Sequence, residues 1–113
     1  MANTPNHQQT ARITADLSAL QQGTPVENWQ GNSYRGYVSG GFYSLVHWDT
    51  EIARFDAAGN CAYFDAQYHS TTTQSFQGRI LSAMPTSDPL YDTVKAELAK
   101  PTDDRGLIII ATA

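Results

Sequence analysis

Between Tyr34 and Tyr68 aromatic and β-branched residues alternate with polar ones, and glycine or Asx-type residues interrupt the alternation at short intervals. A period of two places alternate side chains on opposite faces of a strand, so this stretch predicts an antiparallel sheet. A short strand over residues 26–29 and a Gly31-Asn32-Ser33 turn lead into strands over 34–38 and 42–48, separated by Gly40-Gly41. In the second of these, Phe42, Ser44, Val46 and Trp48 point one way and Tyr43, Leu45 and His47 the other, the pattern of a central strand. Asp49-Thr50 is read as the next turn, followed by a strand over 51–55, a turn over 57–60 and a returning strand over 61–68.

The flanks carry the longer helical period. Ile13, Leu17 and Leu20 predict a helix over residues 6–22, entered at Thr4-Pro5 and stopped by Gly23 and Pro25. Residues 1–10 are expected to be partly disordered and the first turn frayed. On the other side, the hydroxyl run from Ser70 to Thr73 offers an N-cap for a helix with Phe76, Ile80, Leu81 and Met84 on its apolar side. Pro85 ends it, and Ser87-Asp88-Pro89 opens another lined by Leu90, Tyr91, Val94 and Leu98. The run Leu107-Ile108-Ile109-Ile110 does not alternate, as in a strand covered on both faces or paired across a subunit interface. Together these elements predict a single α+β domain over 1–113, with a four- to five-stranded, mainly antiparallel sheet and helices packed on one face.

At 113 residues the chain has room for one modest core. Only 16% of residues are charged, and Gln, Asn, Ser and Thr supply most of the polar surface. The net charge of −4 and the scatter of the seven basic residues argue against direct nucleic-acid binding, which depends on clustered Lys and Arg. A single cysteine, Cys61, gives no disulfide framework and no thiolate cluster. The amino-terminal residues lack a basic, apolar leader, and the longest apolar run is too short to span a bilayer. The expectation is a cytoplasmic protein without a membrane partner.

Candidate chemistry is sparse. His47, Asp49 and Glu51, at i, i+2 and i+4, would share one side of a continuous strand and could serve as an acid–base or metal set; a turn at Asp49 would scatter them. Cys61 and His69 are too far apart on one extended strand to touch, and the Gly36 to Gly41 stretch has the wrong spacing for a phosphate or dinucleotide loop. No cofactor and no enzymatic activity are expected. The rings concentrated in the sheet exceed what packing requires, and Tyr and Trp are enriched at interfaces. Trp29, Tyr34, Arg35, Tyr37, Tyr43, Tyr68 and Thr71 are therefore the candidate interface or pocket residues.

Three stretches also carry a resemblance: Gly31-Asn32-Ser33-Tyr34-Arg35-Gly36, Trp48-Asp49-Thr50-Glu51-Ile52-Ala53, and Tyr68-His69-Ser70-Thr71-Thr72-Thr73-Gln74. Their order resembles a family of small uncharacterised phage proteins, in which a Gly-Asn-Ser turn precedes a Thr-x-Ile-Ala strand and a Tyr-Ser-x-Thr-Thr segment opens a helix. This chain departs from the pattern with His69 between the tyrosine and the serine. The resemblance implies a phage or mobile-element origin and carries no functional residues.

The function expected on these grounds is stoichiometric binding to a host protein or complex, for example as an anti-defence inhibitor of a CRISPR effector. Two alternatives stand beside it: a pocket for a nucleotide signal between the aromatic sheet and the Thr71 helix N-terminus, and a small hydrolase using His47, Asp49 and Glu51. A homodimer through the Leu107 strand is also expected.

Overall fold

The computed structural model describes residues 2–109. Six strands form an antiparallel meander in chain order: β2 (Trp29–Gly31), β3 (Tyr34–Ser39), β4 (Phe42–His47), β5 (Thr50–Phe55), β6 (Cys61–Asp65) and β7 (Leu107–Ile109). A two-residue strand, β1 (Ala2–Asn3), pairs parallel with β2. The helices are α1 (Gln9–Gln21), α2 (Thr71–Ala83) and α3 (Tyr91–Leu98). The α+β class agrees with the sequence pattern, and the sheet is larger than the four or five strands expected, because both ends of the described chain add to it.

The first residues are drawn into the fold. Thr4 was expected to cap the first helix; instead it is buried and its N–H donates to the Gln30 carbonyl at 2.7 Å, continuing the β1–β2 pairing. A 3₁₀ turn over Asn6–Gln8 then leads into α1, which has no side-chain cap. At its other end Gly23 takes φ +70 and the Thr24 N–H reaches back to the Ala19 carbonyl at 2.8 Å, a Schellman closure. Ser70 caps α2 as the hydroxyl run predicts, its Oγ accepting from the Thr73 N–H at 3.1 Å. At α3, Asp88 does not cap the helix conventionally; its carboxylate accepts from the amides of Leu90 and Cys61, tying the α2–α3 connection to β6.

The core lies between the helices and one face of the sheet. Ile13 and Leu17 from α1, Phe76 and Ile80 from α2 and Val94 from α3 close over Trp29, Tyr34, Tyr43, Leu45, Phe55 and Phe64, all of them buried. Gly36 makes this packing possible: a methyl group there would overlap the indole of Trp29, which lies flat across it from the neighbouring strand. Gly40 and Gly41, at φ +59 and +82, form the two-residue turn between β3 and β4.

The register assigns the opposite face. Arg35 faces Val46, Tyr37 faces Ser44, Ser44 faces Arg54, Val46 faces Glu51, and Arg54 faces Tyr63. No helix among the described residues covers this side. The strand β7, expected to be covered on both faces or paired across a subunit interface, is an edge strand among the described residues, with Ile108 packed against the core and Leu107 and Ile109 exposed.

Candidate binding surface

Two polar systems lie beneath the helices, and each has a structural role. In the first, the Trp29 indole N–H donates to the Tyr43 hydroxyl at 3.0 Å, and that hydroxyl donates to Asp16 Oδ2 at 2.6 Å. Arg12 holds the other side of the carboxylate through its Nε. Burial raises the Asp16 pKa against the lowering effect of Tyr43 and Arg12, while burial and the nearby carboxylate push the Tyr43 phenol far up and keep it protonated.

In the second, His47 bonds Thr73 Oγ1 at 2.8 Å and Ser33 Oγ at 3.0 Å, and its ring stacks on Tyr34 with centroids 4.4 Å apart. Desolvation, with Arg79 and His69 nearby, holds His47 below the usual imidazole range. The Arg79 guanidinium lies over the Tyr34 ring at 5.1 Å, and its Nε donates to the fully buried Gln9. His47 therefore occupies the space between the first turn of α2 and the sheet, where the nucleotide alternative places a pocket beside Thr71. Thr71 itself is exposed, with its hydroxyl 3.4 Å from that of Tyr68.

The three groups of the hydrolase alternative do not converge. His47 points to the helices, Asp49 sits exposed in the β4–β5 turn, and Glu51 lies on the other face, where it binds Arg54. Among the described residues there is no group of three or more His, Cys, Asp or Glu side chains placed to hold a metal. Cys61 is buried, and burial together with Asp88 pushes its thiol up to about 12, which favours the protonated form at neutral pH.

The seven candidate interface residues divide clearly. Trp29, Tyr34 and Tyr43 are core residues at 0%, 1% and 0% exposure. Tyr68 and Thr71 lie together at the mouth of α2. Arg35 and Tyr37 lie on the uncovered face, where they join a set of stacked side chains. The Arg35 guanidinium lies 5.7 Å from the Tyr37 ring centre, and that of Arg54 lies 5.6 Å from Phe42 and 5.3 Å from Tyr63. Arg54 donates two hydrogen bonds to the Glu51 carboxylate, which fix the guanidinium and raise its pKa further. Ser44 and Val46, on the same face of the central strand, are buried between these longer neighbours. The face is therefore already ordered, with half-buried rings and charged groups held in place.

One residue at its rim was not singled out from the sequence. Trp48 is 70% exposed and adopts φ +55, a left-handed backbone that a bulky side chain rarely occupies. Its N–H donates to the Ser33 carbonyl at 2.7 Å, and its own carbonyl accepts from Arg35 Nη2 at 3.3 Å. Arg35 forms part of two adjoining depressions, one of about 230 Å³ with Gln30, Asn32, Ser33, Trp48 and Asp49, the other of about 190 Å³ with Asn28, Trp29 and Tyr37. The left-handed backbone is what the two-residue Trp48-Asp49 turn between β4 and β5 requires, and it leaves a large exposed indole where the backbone carbonyl holds an arginine that has no carboxylate partner among the described residues. The chain matches no family model, no curated protein and no solved structure.

Proposed function

We propose that this protein works by stoichiometric binding to another protein, a host protein if the phage resemblance holds, and that the uncovered sheet face with Trp48 at its rim is the contact surface. The observation that carries the reading is the exposed Trp48 side chain in the β4–β5 turn, where its backbone carbonyl accepts from Arg35, the arginine that stacks on Tyr37. Trp, Tyr and Arg are the residues that most often dominate binding energy, and they do so when neighbouring contacts exclude water around them. The stacked Arg54, Phe42 and Tyr63 extend the same face away from Trp48 toward the other end of the strands, and their fixed geometry lowers the entropy lost on docking. The complementary surface would offer an apolar pocket for the indole and a carboxylate for Arg35. Inhibition of a defence complex is the particular role this reading favours, since a small stoichiometric binder needs no chemistry of its own.

Site-specific photocrosslinking tests the surface. A photoreactive phenylalanine analogue replacing Phe42 should capture the partner, whereas the same group at Ser82, exposed on α2, should not. Capture from Ser82 alone would place the contact on the helices and sink the proposal.

A further inference from the structure

We propose that β7 is a self-pairing edge, through which two copies of this chain join their sheets in an antiparallel, twofold arrangement centred on Ile108. The inference rests on the geometry of β7 and is independent of what docks on the sheet face.

The direction of the backbone groups follows from one hydrogen bond. The Ala66 N–H donates to the Gly106 carbonyl at 3.2 Å, and the β6–β7 register pairs Phe64 with Ile108, two residues further along each strand. In an antiparallel ladder, exchanging and non-exchanging pairs alternate, so Phe64 and Ile108 form the next exchanging pair. Leu107 and Ile109 therefore direct their N–H and C=O groups away from β6, toward the outside of the sheet. An antiparallel partner strand with the same sequence satisfies them when Leu107 of each copy faces Ile109 of the other. That register gives four backbone hydrogen bonds and sets the two Ile108 residues opposite each other at the twofold axis.

The side chains favour a second copy as the occupant. Leu107 and Ile109 are 49% and 64% exposed, and both lie on the uncovered face, where the register brings each against its counterpart. The described strand Leu107-Ile108-Ile109 carries no charge, proline or glycine, residues that commonly keep an edge from pairing, and no like charges meet when it faces itself. The opposite edge of the sheet differs: it ends in the two-residue strand β1. The position of β7 is also fixed. Glu97 accepts from the Gly106 N–H at 2.9 Å, and Arg105 bonds the Lys100 carbonyl and Gln74.

The three described residues of β7 in each copy bury far less than the ~1,600 Å² of a standard stable interface, so their pairing belongs to the weak, concentration-dependent class. Two copies at −4 each repel at long range, and salt should therefore strengthen the pair.

Sedimentation velocity of the full chain from low micromolar to several hundred micromolar is expected to show 12.4 kDa monomer passing into a species of twice that mass, more readily at high salt. Ile109→Lys should weaken the association at least about tenfold. Ile109→Thr, which keeps a β-branched residue in the strand, should weaken it less and guards against a folding defect. Under mild oxidation Ile108→Cys should link two copies, and Thr102→Cys should not. A monomer at every concentration, a dimer that Ile109→Lys leaves intact, or a β7 that accepts only a strand from another protein would each overturn self-pairing.

Discussion

Two buried titratable residues push stability in opposite directions as the solution is acidified. His47 is held below its ordinary pKa, so the unfolded chain takes up a proton near pH 6.5 before the folded one does. Its contribution is complete above that pH and is lost as pH falls toward the depressed folded value. Asp16 is raised from 3.8, so there the folded chain takes up the proton first, and stability recovers as pH falls from the raised value toward 3.8. Denaturant unfolding across this range should show the acid-side loss flattened in His47→Gln and steepened in Asp16→Asn. Parallel profiles for all three proteins would mean that neither group titrates differently on folding. At this scale the sequence was legible where a residue type has one strong preference, as with the Ser70 cap and the glycines at 40 and 41. It was silent on Trp48, which alternation assigns to the end of a strand, because nothing in a tryptophan signals a left-handed backbone.

Among the elements, the meander follows from the turn residues, while its irregularities come from packing. The β4–β5 register shifts beyond Leu45, and the β5–β6 register shifts beyond Arg54, leaving Ile52 and Ala62 as extra residues. Such bulges increase local twist, which suits a sheet wrapped around helices on one side. The tightest approach is between Trp29 on β2 and Gly36 on β3. Replacing Gly36 by alanine should cost about 1–3 kcal/mol, the usual range for overpacking a filled core. Thermal unfolding should show the loss, and a Gly36→Ala protein as stable as the parent would mean that the indole has room to move. The pairing of Thr4 with Gln30 was beyond the reach of local pattern, since Thr4-Pro5 reads equally as a helix start and only the tertiary contact decides.

For the molecule as a whole, the decisive fact is which face of the sheet the helices cover. Both faces of β4 carry apolar groups, so alternation could not tell whether Tyr43 or Phe42 would be buried; α1 and α2 settle it by closing over Tyr43, Leu45 and Tyr34. The helix-covered side thus absorbs three of the rings first read as interface residues and leaves Tyr37, Phe42, Tyr63, Arg35 and Arg54 outside. No helix among the described residues is long and apolar enough to cross a membrane. Trp48 joins the stability of the fold to its proposed use. Glycine takes φ +55 without strain, so Trp48→Gly should relieve on the order of 1 kcal/mol of backbone cost while removing the proposed anchor. The most direct measurement is a comparison of the parent and Trp48→Gly as baits in host lysate, alongside their melting temperatures. The account predicts a stoichiometric partner on the parent, little or none on Trp48→Gly, and an unchanged or higher melting temperature for the variant. A partner retained by a folded Trp48→Gly, or a parent that captures none, would contradict it.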